Sequence, residues 1–470
     1  EGYGLGIAIS DLNQDGYMDI YISNDYITPD FMYINNGDGT FTDEINDRTN
    51  HCSMYAMGND VADFNNDGLV DIIVADMVSE DHIRSKKNMG PMSPDDFWGQ
   101  VKRGNQMEYM FNTLQMNNGN GTFSDIGQLA GVSKTDWSWA TLFADFDNDG
   151  MKDLFITNGY RRDVRDNDFV KEYNKEKSLA DEIKEIHDLL DKAPATKIKN
   201  YIFKNDGDLH FSKKMKEWQV NDPVNSNGAA YADLDNDGDL DLIINNMDEV
   251  SVIMENKLVS SNNWVKISGD KKFDGAKVTV MIGENHYFQE MQVTRGFQSS
   301  IEPKLHFGVG TAEKIDRIEV VYPDGKFLEL SDIEVNKEHK LQYAKAKEGN
   351  LRKLPQNPLF KEQEVVDHTH EEFIVDDFER EVLLPHKMSQ LGPSISKGDV
   401  NGDGLEDFYV SGAIFYTGAL YLQTSSGSFE EKSGPWKSQS QREEVGSTFF
   451  DADSDGDMDL YVVSGSNEYK

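Results

Sequence analysis

The chain has 470 residues, with 85 acidic against 46 basic side chains and a formal net charge of −39. That length exceeds one ordinary core and predicts two or more domains, while so negative a field disfavours nucleic acid and anionic membrane surfaces as partners. Cys52 is the single cysteine, so no intrachain disulfide forms, and no apolar run is long enough to span a bilayer.

Read from the N-terminus, the first informative stretch is an acidic loop, Asp11-Leu12-Asn13-Gln14-Asp15-Gly16-Tyr17-Met18-Asp19. It recurs five times, with the same residue classes at positions 1, 3, 5, 6 and 9. The second copy has Asp63, Asn65, Asp67, Leu69 and Asp71, and the third has Asp145, Asp147, Asp149, Met151 and Asp153. The fourth has Asp233, Asp235, Asp237, Asp239 and Asp241, the fifth Asp399, Asn401, Asp403, Leu405 and Asp407, and the sixth Asp451, Asp453, Asp455, Asp457 and Asp459. Side-chain oxygens at 1, 3, 5 and 9, a glycine at 6 and a backbone carbonyl at 7 predict an all-oxygen cage for a hard cation. Calcium suits it, because that ion takes about 6–8 oxygens in flexible geometry.

An EF-hand shares the early spacing but requires a bidentate Glu at position 12 and flanking helices. Here position 12 is Ile22, Val74, Ile156, Ile244, Val410 or Val462, each inside a short apolar run that reads as a buried strand. The loop therefore joins two strands. Five residues before each first Asp stands a small residue (Gly6, Gly58, Ala140, Gly228, Ser394, Gly446), which predicts a crowded innermost strand facing a narrow central channel.

The first two loops are 52 residues apart, and so are the last two. Spacing of this order with strands rather than helices signals propeller blades. Hairpin signals inside the unit agree: Asn35-Asn36-Gly37-Asp38-Gly39-Thr40-Phe41, Asn117-Asn118-Gly119-Asn120-Gly121-Thr122-Phe123, and weaker forms at Asn205–Phe211 and Ser425–Phe429. The second and third units are enlarged by insertions at about 77–110, which reads as irregular, and 163–195. The latter carries a helical stripe of Leu179, Ile183, Ile186, Leu189 and Leu190. Both fall between the strand after the loop and the hairpin, so they are expected on one face.

The expected organisation is a partial β-propeller of four blades over 1–256, a small all-β domain over 257–345, a linker over 346–372 and two blades over 373–470 that start a second propeller. The chain opens at Glu1 inside an expected inner strand and stops at Lys470 just after a loop and its strand, so both ends read as cut. No leader is visible in it.

The loops together with the Asn-Asn-Gly hairpins resemble FG-GAP/VCBS repeats, the blades of integrin-like propellers. Gly275-Ala276, Arg295-Gly296-Phe297, His306-Phe307-Gly308-Val309-Gly310 and Ile318 to Gly325 resemble an ASPIC/UnbV domain. The resemblance implies an all-β, calcium-binding protein of the cell exterior or surface, often a bacterial outer-membrane lipoprotein beside TonB-dependent uptake systems. It also implies up to six structural Ca²⁺ at the loop residues named, and a protein or glycan partner. Asn13, Asn65 and Asn401 lower the charge of three cages.

Other chemistry is weaker. No His/Cys spacing of a zinc site occurs, and His368 with His370 is the only close histidine pair. Trp137 and Trp139, followed by Tyr160-Arg161-Arg162, offer a sugar-stacking platform, with core packing the default. A polysaccharide-acting enzyme is the alternative to a binding or scaffold module. The arranged carboxylates are committed to loops, however, whereas acid catalysis needs one carboxyl with a raised pKa, so the expectation is no enzyme.

Overall fold

In the computed structural model, which describes residues 2–26, 28–88, 94–176, 192–257, 261–349, 365–380 and 388–465, each apolar run after an acidic loop becomes the second strand of an antiparallel sheet. The first sheet pairs Tyr3–Ser10, Asp19–Asp25, Phe31–Asn35 and Phe41–Asp43 in chain order. The second pairs Asn59–Ala62, Asp71–Val74, Thr113–Asn117 and Phe123–Asp125, and the third Ser138–Ala144, Asp153–Asn158, Tyr201–Asn205 and Phe211–Lys213. The fourth has three strands, Ser226–Ala232, Asp241–Asn246 and Val252–Met254. In the second and third sheets the second strand is buried on both faces, as its unbroken Ile, Val and Phe run requires; Ile72, Ile73, Val74, Leu154, Phe155 and Ile156 are fully buried. Each such side chain contributes about 1.5–3 kcal/mol.

The chain divides into two compact units, Glu1–Asn357 and Pro358–Lys470. In the first, the inner strands Tyr3–Ser10, Asn59–Ala62, Ser138–Ala144 and Ser226–Ala232 lie side by side in that order, like successive blades of a propeller. The segment after the fourth sheet adds a five-stranded sheet (Asn285–Glu290, Lys277–Ile282, Lys314–Val321, Lys326–Glu334, Lys347–Glu348) and a three-stranded one (Lys304–Gly310, Asn263–Ser268, Lys337–Lys340). Val265, Ile267, Val278, Val280, Phe307 and Ile318 form their shared core. Residues 347–348, read from sequence as linker, pair with Lys326 and Phe327 as the edge strand of the larger sheet.

The narrow central channel expected from the sequence is occupied. A hairpin of this segment, Thr294–Arg295 with Ser299–Ser300, lies against all four inner strands. Arg295 donates to Asp60 Oδ1 at 2.8 Å and to the Val61 carbonyl at 2.5 Å, and Phe297 is buried against Trp139. The hairpin accounts for the small residue at Gly58, where a Cβ would meet the carbonyls of Trp139 at 2.3 Å and Gly296 at 2.8 Å.

The 77–110 insertion is not irregular. It forms the helices His82–Lys87 and Pro94–Val101, the first capped by Asp81, whose side chain accepts from Arg84 N–H. Arg84 also bonds Asp136 and Asp163, which ties the two insertions together. In the second insertion the structure shows a helix at Asn167–Glu176, and the stripe Leu179 to Leu190 lies outside the described residues.

The second unit contains a four-stranded sheet, Ile395–Gly398, Asp407–Val410, Ala419–Gln423 and Phe429–Lys432. A two-stranded hairpin, Glu444–Phe450 with Asp459–Ser464, joins it through Ser396 Oγ and Ser447 Oγ at 2.8 Å.

Candidate metal centre

All six loops close in the same way, because the same side chains hold the same backbone groups. The first-position carboxylate accepts from the N–H of the sixth-position glycine: Gly16 to Asp11 at 2.8 Å, Gly68 to Asp63 at 2.9 Å, Gly150 to Asp145 at 2.8 Å. Gly238 to Asp233 (2.9 Å), Gly404 to Asp399 (2.8 Å) and Gly456 to Asp451 (3.1 Å) complete the set. The fifth-position Asp accepts from the seventh N–H, as Tyr17 to Asp15 at 2.9 Å and Leu405 to Asp403 at 2.9 Å.

The ninth-position Asp bonds back to the second N–H, as Leu12 to Asp19 at 2.9 Å and Leu234 to Asp241 at 2.9 Å. In the first five loops its other oxygen receives the N–H of a residue that follows the second strand: Asn35, Asn117, Asn205, Asn256 or Gln423, at 2.8 to 2.9 Å. The hairpin motif thus has a second use beyond its turn. It anchors the loop that precedes it in its own sheet.

This closure turns carboxylates inward. Oxygens of Asp145, Asp147 and Asp153 lie within 4.8 Å of one another, and so do those of Asp233, Asp235 and Asp237 and those of Asp451, Asp453 and Asp459. The loops with Asn13, Asn65 and Asn401 form no all-carboxylate trio among the described residues; there the Asn amide donates to the fifth-position Asp at 3.0, 2.9 and 3.0 Å. Burial pushes the Asp19, Asp63 and Asp145 carboxyls up to about 7, and those of Asp71 and Asp153 well above the usual range. Neighbouring carboxylates add to the rise. A bound dication removes that repulsion and restores the ionised form.

The donor set fits such an ion. It is all oxygen, and Asp233 Oδ1 is buried without a hydrogen-bond partner among the described residues while Oδ2 holds Gly238. The residues that would hold an ion are the carboxylates and Asn side chains at positions 1, 3, 5 and 9 of each loop.

Three lysines that the loop pattern did not reveal join these cages. Lys277 bonds Asp11, Lys266 bonds Asp233, and Lys204 bonds both Asp147 and Asp149. The first two come from the all-β segment after the fourth sheet, which sits on the loops. In the same segment, Trp264 covers Gly238, where a Cβ would meet its Nε1 at 1.7 Å, and His306 Nε2 lies 2.7 Å from Asn148 Oδ1. Burial holds His306 far down, at about 3, so its imidazole is neutral and donates that hydrogen bond.

The other candidates resolve into packing. Trp137 stacks on Tyr160 with centroids 4.0 Å apart and planes 4° apart, and Trp139 donates Nε1–H to the Gly159 carbonyl at 2.6 Å. Neither indole is a free platform. His368 pairs with the Tyr421 hydroxyl and His370 with Glu372, so the two rings serve different partners.

Residues 11–74, 97–156 and 399–462 match the FG-GAP-like repeat family, and residues 270–348 match ASPIC and UnbV. Cartilage acidic protein 1 of Xenopus tropicalis is 28% identical over 344 residues, 70% of this chain and 43% of that protein. The Homo sapiens protein of the same name is 24% identical over 340 residues, 69% of this chain and 42% of its own. The chain thus spans less than half the length of these relatives. A solved structure of an Agrocybe aegerita protein that recognises non-reducing terminal N-acetylglucosamine aligns over 92% of this chain and 81% of its own, at 14% identity. Its TM-score of 0.24 carries no argument.

Proposed function

We propose that this chain, which carries FG-GAP-like repeats and an ASPIC and UnbV domain, is a calcium-binding β module that works outside the cell as a binding or scaffold surface, not as an enzyme. The observation that carries the reading is the sixfold repetition of one closure, in which the Gly N–H and the backbone of the loop aim carboxylates into a shared oxygen cage. Calcium rather than magnesium is favoured because the cages differ in Asn and Asp content and in lysine neighbours. A tolerant coordination sphere accepts that variation, whereas magnesium demands near-octahedral geometry. Extracellular modules hold Ca²⁺ at about 10⁻⁴–10⁻³ M, which agrees with the likeness to cartilage acidic protein 1 and with an exterior location.

The ion's role is structural: it neutralises carboxylates gathered across a tight turn and holds the first two strands of each blade in register. The contact surface for a protein or glycan partner is the insertion-bearing face, where Ile83, Trp98 and Met107 are exposed.

Thermal unfolding with EDTA, then with Ca²⁺ or Mg²⁺ added back, tests the metal reading. A loss of Tm restored by Ca²⁺ and not by Mg²⁺ is expected. An unchanged Tm on chelation would refute it.

A further inference from the structure

We infer that the metal loops of the first unit form a coupled array, in which the fourth-position side chain of each loop positions the next loop. The inference rests on the calcium reading above. Gln14 Nε2 donates to the Gly68 carbonyl at 2.7 Å, Asn66 Nδ2 to that of Gly150 at 3.0 Å, and Asn148 Nδ2 to that of Gly238 at 3.0 Å. The same contact thus recurs at three successive loop junctions.

Each donor stands between the ligands at positions 3 and 5 of its own loop, held in the left-handed region at φ of 59°, 58° and 57°. Each acceptor is the carbonyl of the glycine whose N–H holds the first ligand of the following loop. Two ligands of one cage are therefore joined to the first ligand of the next through one side chain and one glycine residue.

A second strut runs beside the first. Asn117 Nδ2 spans the Leu12 and Val70 carbonyls at 3.0 and 3.3 Å, Asn205 those of Phe64 and Lys152 at 2.9 and 3.1 Å, and Asn256 those of Phe146 and Leu240 at 2.8 and 3.3 Å. Each pair of carbonyls belongs to two consecutive loops. At the third junction His306 also holds the buried Asn148 amide, so the ASPIC/UnbV segment pins the link there. An ion in one cage fixes positions 3 and 5, and with them the donor between. The neighbouring loop then has less freedom left to lose when it binds, which is positive coupling and is reciprocal.

Trp264 against Gly238 supplies a local reporter, because Tb³⁺, a hard ion that seeks oxygen as Ca²⁺ does, is sensitised by an indole at the fourth loop. The full chain is stripped with chelator and titrated with Tb³⁺ under tryptophan excitation, with Trp264→Phe identifying the fourth-loop signal. Asp149→Ala, which disables the third loop, should weaken Tb³⁺ binding at the fourth by about fivefold or more. Asn148→Gly should remove that dependence while leaving the third loop able to bind. Glycine is tolerated there, since Gly402 fills the same position of the fifth loop at φ 74°. Far-UV circular dichroism at saturating metal confirms that each variant is folded. Should circular dichroism show Asp149→Ala unfolded, Asp149→Asn takes its place. Equal fourth-loop affinity with and without an active third loop would overturn the coupling, as would a dependence that survives Asn148→Gly. Absence of Tb³⁺ and Ca²⁺ binding to the unsubstituted chain would instead overturn the calcium reading.

Discussion

The same nine-residue loop lives in two environments in this chain. In the first unit the leading carboxylates Asp11, Asp63, Asp145 and Asp233 are 1%, 2%, 1% and 7% exposed. They lie under a second β segment, and lysines reach two of them, Asp11 and Asp233. In the second unit Asp399 is half-buried and Asp451 exposed, and hydrogen bonds from the Gly404, Asp403 and Gly402 backbone hold Asp399 below the usual carboxylate range. The glycine-to-first-Asp bond is present in both. Local sequence sets the shape of the cage, and its neighbours set the electrostatic cost of the empty one. Chelation should therefore harm the first unit more than the second.

The largest effect is expected at the central hairpin. Arg295→Met leaves Asp60 buried and unpaired, which costs about 3–5 kcal/mol; chemical denaturation should show the first unit losing stability while the second keeps its own transition. Next comes metal removal. An ion at about 100 times its Kd contributes about 2.7 kcal/mol per site, so scanning calorimetry in EDTA should lower the first unit's transition more than the second's. Equal shifts would break the comparison.

Position-1 substitutions sharpen it. Asp145→Ala strands the buried Gly150 N–H and should cost about 1–3 kcal/mol even without metal, whereas Asp399→Ala, in a more exposed loop, should cost less. Urea melts in EDTA separate the two.

A smaller effect concerns pH. Glu108, beside Asp30, Asp76 and the buried Cys52 thiol, has an Oε1 without a hydrogen bond, and burial raises its carboxyl to about 7. The folded pKa is above the unfolded one, so its contribution is full below the unfolded pKa and is lost as pH rises through 7. Glu108→Gln should accordingly raise Tm above pH 7, by on the order of 1 kcal/mol in stability, and change little below pH 5.

Much of the site was legible because it is local. Positions 1, 5, 6 and 9 lie within nine residues, and the chemistry of Asp and Gly dictates how they close. The apolar runs after each loop named the second strands, although the last of them, Asp459–Ser464, is largely exposed rather than buried, and the Asn-Gly hairpins named the turn between third and fourth strands. The fourth position was overlooked, although its residues (Gln14, Asn66, Asn148, Asn236, Gly402, Ser454) are short, polar or glycine, and most of these suit a left-handed backbone. The two helices in the first insertion escaped notice because each is under nine residues, too short for an apolar period to emerge.

What the sequence by itself determined is the repeated strand–loop–strand unit, its acidic cage and the all-β character, since each depends on contacts between residues close in the chain. What only the tertiary structure decided is how the cages are joined and what fills the centre. Arg295 meets Asp60 across 235 residues and Lys277 meets Asp11 across 266. No periodicity or spacing encodes such pairings; they arise where sheets bury their faces together and the remaining charges must find partners.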